Sequence, residues 1–134
     1  MKHRFFTLSQ RLSAKRLNET LTDIKLPKKR IVIFGSLQNK KIDSIAKQIC
    51  NEKTEIIITK PKSTRAMPIN KLKNIFAKYT SSIHTWMNID DALENALEKI
   101  NNDQYILITG SIYLISEARE KILSIDGDRE LNLR

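Results

Sequence analysis

The chain is short of every residue type that marks a specialised class. Its 134 residues contain 3 Gly, 3 Pro and 1 Cys, and aromatics make up 6%. So little Gly and Pro excludes collagen-like and Pro/Gly-rich low-complexity sequence. The single Cys50 cannot form an internal disulfide or anchor a cysteine-rich metal site, which agrees with a reducing, cytoplasmic setting. No apolar run approaches the roughly 18–20 residues needed to span a bilayer. Acidic residues are also scarce: 15 Asp and Glu stand against 24 Lys and Arg, a formal charge of +9.

What is present fits one soluble domain with a core of ordinary size, 40% apolar and 29% charged. The basic excess is concentrated before Glu19, at Lys2, Arg4, Arg11, Lys15 and Arg16, and again at Lys28, Lys29 and Arg30. A surface of this sign suits nucleic acid, anionic lipid, or a small polyanion such as a nucleotide or polyglutamate. The first 17 residues have the Arg-rich, acid-free composition of a transit peptide. The helical period continues past them, however, and favours a basic lead-in over residues 1–12 followed by an ordinary helix.

Strand and helix patterns alternate from there. The runs "RIVIFGS" (30–36), "EIIITK" (55–60) and "YILITGS" (105–111) are continuously apolar and β-branched, as strands buried on both faces are. A weaker fourth, "SSIHTW" (81–86), reads as an edge strand. Helical stripes fall on Ala14-Leu17-Leu21-Ile24, Ile42-Ile45-Ala46-Ile49, Ile69-Leu72-Ile75-Phe76-Tyr79, Ile89-Ala92-Leu93-Ala96-Leu97-Ile100, and Leu114-Ile115-Ala118-Ile122. The alternation predicts an α/β fold: a Rossmann-like, mainly parallel sheet of four to six strands with helices on both faces. The domain is expected over 13–124, with residues 125–134 a flexible tail.

Ligands of such sheets sit at the carboxyl ends of the strands. Four segments should gather there: the Gly-Ser turn Gly35-Ser36 with the following "LQNKK", Thr59 to Arg65 within the basic loop "KPKSTRAMP" (60–68), Thr85 onward, and the second Gly-Ser turn, Gly110-Ser111. Neither turn belongs to a G-x-G-x-x-G or Walker pattern, so both read first as structural corners. Lys60, Lys62 and Arg65 could meet a carboxylate or phosphate. Among single residues, His84 lacks companions for a metal and reads as structural, Asp90-Asp91 marks a helix start, and Tyr105 and Tyr113 read as core or core-edge. Nucleic-acid binding has the charge but no helix-turn-helix or RNP-like pattern. No catalytic or metal-ligating residue emerges.

The segment "ILITGSIYLISEAREKIL" (106–123) closely resembles the closing strand, turn and helix of folylpolyglutamate and dihydrofolate synthases, members of the Mur ligase superfamily. "RIVIFGSLQNKKIDSIAKQI", "EIIITKPKSTRAMP" and "IDDALENAL" are similar to that family's preceding elements in the same order, so the resemblance covers residues 13 to 123. It implies the C-terminal domain of an ATP-dependent ligase that adds glutamate to a folate or pteroate carboxylate through an acyl phosphate. In the complete enzyme, ATP and Mg2+ belong to a separate N-terminal ATPase domain with the P-loop, so this chain is expected to be inactive alone and to bind no cofactor tightly. Glutamate, folate or pteroate and that ATPase domain are the implied partners; neither a membrane nor nucleic acid is expected. By the family match, Lys40, Arg65 and Ser111 lie at the cleft rim, with Lys60 and Lys62 as further charges. Two departures stand out. The family's Asp-Gly-Ala-His-Asn-like entry segment is not present, its His and Asn falling on Ser9 and Gln10. Its Asp-Lys-Asp reads here Asn39-Lys40-Lys41. A basic α/β module for polyanions or nucleic acid, or a decayed non-catalytic remnant, are the alternative functions.

Overall fold

A computed structural model of the chain describes residues 5–9, 29–38 and 41–126. Five strands form one sheet: β1 (Phe5–Ser9), β2 (Lys29–Gly35), β3 (Thr54–Ile58), β4 (Ile83–Thr85) and β5 (Gln104–Gly110). Their order is β1-β5-β2-β3-β4, and every pairing is parallel. Four helices are described: α1 (Asp43–Ile49), α2 (Ile69–Phe76), α3 (Ile89–Lys99) and α4 (Ile112–Asp126).

Side chains alternate across each strand, so every central strand feeds two cores. Val32, Phe34, Ile56, Ile58 and Leu107 pack with α1 and α2 on one face. Ile31, Ile33, Ile57, Ile106 and Ile108 pack with α3 and α4 on the other. Phe34 and Phe76 meet edge-on at 5.1 Å between ring centres, tying α2 to the middle of the sheet. The three continuously apolar runs are thus the three inner strands, and the weak "SSIHTW" run is an edge strand, as expected.

Helix ends follow local chemistry. Asn88 accepts from the Asp91 amide at 2.9 Å and caps α3, with Asp90 and Asp91 in its first turn. Pro68 does not enter α2 but stands as its cap, its carbonyl accepting from Lys71 and Leu72.

Several expectations change. The segment read as a basic lead-in contains β1, whose residues Phe5 to Ser9 align with Ile106 to Gly110. A five-residue run without β-branched patterning carries little signal of its own, and β5 supplies the pairing partner. The helical stripe at Ala14 to Ile24 lies outside the described residues. Tyr105 is buried as expected, but Tyr113 is 51% exposed, because it follows the turn onto the outer side of α4. His84 is likewise exposed on the edge strand. α4 continues through Asp126, past the residue where the tail was expected to begin.

β2 is followed by connections to β3 on one side, whereas β5 returns to its other side between β1 and β2. The direction of winding therefore reverses at β2 and β5, the place where open α/β sheets form a crevice. Here the two Gly-Ser turns lie together. Gly35 and Gly110 are register partners, and Gly110 has φ +122°, a region that side chains rarely adopt. A Cβ at Gly110 would stand 1.9 Å from the Gly35 carbonyl oxygen. Gly110→Ala is therefore expected to destabilise the fold by roughly 4 kcal/mol or more. Urea denaturation would measure it, and a loss below 1 kcal/mol would contradict this close approach.

Candidate functional site

The carboxyl end of the sheet is built by backbone hydrogen bonds that continue the strands beyond their last residues. The Thr59 amide donates to the Phe34 carbonyl at 2.9 Å, that of Trp86 to Ile58 at 2.9 Å, and that of Ser111 to Gly35 at 2.8 Å. The chain after Gly35 then pairs with the far end of the basic loop: Met67 N–H donates to the Ser36 carbonyl and Gln38 N–H to the Arg65 carbonyl, both at 2.7 Å. A bridge between Leu37 and Ala66 completes this contact. The loop is also held from α4, where Glu117 Oε2 accepts from the Lys62 amide at 3.1 Å. Inside the loop, Ser63 Oγ accepts from the Arg65 amide at 3.1 Å.

These restraints give the three loop cations different surroundings. Lys60 is half-buried and lines an open cavity of about 370 Å3 together with Pro68, Ile69, Thr85, Trp86 and Met87. Lys62 and Arg65 are exposed and do not line it. Lys40 lies outside the described residues. Ser111 is 5% exposed, and its hydroxyl accepts from the Tyr113 and Leu114 amides at 3.0 and 3.4 Å, so it caps α4. The corner reading of both Gly-Ser turns holds at the level of packing: Ser36 is fully buried, and the Ser111 amide is committed to Gly35.

The stretch from Thr85 onward lies at this end of the sheet, as expected, and brings Trp86 and Met87 to the Lys60 cavity; Glu117 was not singled out as part of a site. Trp86 and Met87 are 38% and 65% exposed, unusual for large apolar side chains in a small domain. Ile112 and Tyr113, which follow β5 at the same end of the sheet, are also about half-exposed. Thr59 Oγ1 and Glu117 Oε1 are buried here without a hydrogen-bond partner among the described residues. The described residues bring together no group of three His, Cys, Asp or Glu side chains.

Similarity to known proteins follows this architecture. The family described as Mur ligase, glutamate ligase domain, matches residues 11–112. The chain belongs to that family. The fold of this glutamate ligase domain resembles solved folylpolyglutamate synthases. Against the Mycobacterium tuberculosis enzyme complexed with ADP the TM-score is 0.71 at 20% identity, over 88% of this chain and 28% of that one. The Thermotoga maritima enzyme gives 0.67 at 19% identity, over 88% and 27%. Escherichia coli FolC in complex with DHPP and ADP gives 0.67 at 14%, over 85% and 27%. The domain thus spans little more than a quarter of these enzymes' length. No curated protein matches the sequence. Among the described residues, no helix is long and apolar enough to cross a membrane.

Cys50 is not part of this end of the sheet. It closes α1 and is half-buried, and burial pushes its thiol up to about 11 despite the opposing charge of Arg30. Two outcomes follow. Cys50 is expected to alkylate about a hundredfold more slowly at pH 8 than an unhindered thiol of ordinary pKa, which iodoacetamide kinetics would measure. Ser111→Ala is expected to cost about 1 kcal/mol of stability through the lost cap, measurable by thermal or urea unfolding.

Proposed function

We propose that this glutamate ligase domain is the C-terminal part of a cytoplasmic, ATP-dependent folylpolyglutamate or dihydrofolate synthase, which adds glutamate to a folate or pteroate carboxylate through an acyl phosphate. The observation that carries the reading is Lys60 at a cavity walled by Trp86 and Met87, on the carboxyl end of a family-type sheet. A half-buried ammonium is a strong partner for a carboxylate or phosphate, and the indole and thioether offer apolar contact to the rest of the ligand. Lys62 and Arg65 add positive potential beside the cavity and raise the local concentration of anions.

The described residues do not fit a nucleotide and its metal by themselves. They hold no metal-ligating cluster, and the sequence has neither a Walker pattern nor a G-x-G-x-x-G turn. Phosphate and Mg2+ chemistry is assigned to the ATPase portion, and no catalytic step to the described residues. The exposed apolar side chains at this end, Trp86 and Met87 beside the cavity and Ile112 and Tyr113 after β5, face the side on which that portion would close. Ser111 serves here as a helix cap, and Lys60 leads the ligand-binding candidates.

Amide NMR titration with glutamate, a folate and Mg-ATP, each alone, tests the reading. Shifts are expected around residues 36–38, 59–70 and 85–87, and Lys60→Gln should weaken the response about tenfold, the worth of one hydrogen bond to a charged group. A folded domain that responds to none of the three would count against a ligand site on this chain.

A further inference from the structure

A second site lies at the opposite, amino end of the sheet. Arg30, the second residue of β2, is 9% exposed. Its register neighbours are Thr54 on β3 and Tyr105 on β5, and the Tyr105 phenol is hydrogen-bonded to it. Arg30 Nε and Nη1 are buried and have no hydrogen-bond partner among the described residues. The ion pairs of those residues join Lys29 to Asp103, Lys78 to Asp43 and Lys121 to Glu94, and none includes Arg30.

Most buried ionisable groups escape such a position by changing protonation state. A guanidinium does not, because it stays charged at any physiological pH. A buried charge without a counter-charge costs several kcal/mol, so the position calls for an anion or equivalent polar ligation. The neighbouring thiol does not answer, since burial keeps Cys50 protonated. Beside Arg30 opens a cavity of about 400 Å3, lined by Arg30, Asn51, Glu52 and Lys53. Two cations thus face one carboxylate, and Lys53 and Glu52 are both exposed at the mouth. The volume exceeds that of a simple ion and suits an oxyanion that anchors a larger molecule.

We propose that this cavity is an anion site in which Arg30, assisted by Lys53, holds a phosphate or carboxylate group. It shares no residue with the Lys60 cavity, so the two sites can fail separately. Asn51 completes the wall, and Glu52 limits the anion charge that the mouth tolerates.

The test is an amide NMR titration with inorganic phosphate and, separately, acetate, at ionic strength held constant with sodium chloride. The chains compared are the wild type, Lys53→Gln and Arg30→Met. Saturable shifts are expected at residues 30 and 51–53, with affinity reduced about fivefold in Lys53→Gln and the response lost in Arg30→Met. The anion that binds identifies the group. If neither anion shifts these amides, or if both act equally on wild type and Lys53→Gln, the proposal is overturned. Lys53 is an exposed loop residue, so its variant decides the matter even if Arg30→Met does not fold.

Discussion

The contact between Gly110 and the Gly35 carbonyl joins the two halves of the winding. β2 and β5 run side by side along their whole length, and at their last residues the backbones approach too closely for any side chain. Gly35 is confined from the other side as well, since a Cβ there would stand 2.9 Å from the Thr59 carbonyl oxygen. Two glycines therefore let three strand ends converge, and both serines that follow them are buried in the turns. In many open α/β sheets this crevice receives a ligand. Here the Gly35 and Gly110 backbones meet at that point, and the described cavity at this end lies further out, between the loop after β3 and the residues after β4.

That displacement explains how the basic loop is presented. Its far end is sewn to residues 36–38 and its middle to Glu117, so the loop is positioned by β2 and α4 as much as by the strand it leaves. A restrained loop loses less conformational entropy on meeting a ligand. The same restraint separates its cations: Lys60 is drawn toward Trp86, while Lys62 and Arg65 stay on the outer side.

The two ends of the sheet handle positive charge differently. At the carboxyl end the cations are on a loop and at least partly hydrated, so they remain ready for a partner at little standing cost. At the amino end Arg30 is embedded beside Tyr105 in the same face of the sheet as Val32 and Phe34. There the desolvation cost is borne continuously and only ligation relieves it. An exposed basic patch signals attraction over distance, whereas a buried guanidinium signals a specific local need.

The sequence alone carried the inner strands, the four described helices and the α/β class. Continuous β-branched runs and helical stripes are determined by burial, and burial periodicity is written directly into residue order. The matched "ILITGSIYLISEAREKIL" segment also led to the family, because a turn that needs glycine at one position leaves a recognisable pattern. Strand β1 was not legible, since a short edge segment gains its conformation from the partner strand. Nor was the inequality of Lys60, Lys62 and Arg65, which share one loop and differ only in what the fold sets beside them. Glu117 and Arg30 belong with them: their surroundings come from residues 24 to 75 positions away in the chain, and such proximity is created only when the sheet closes.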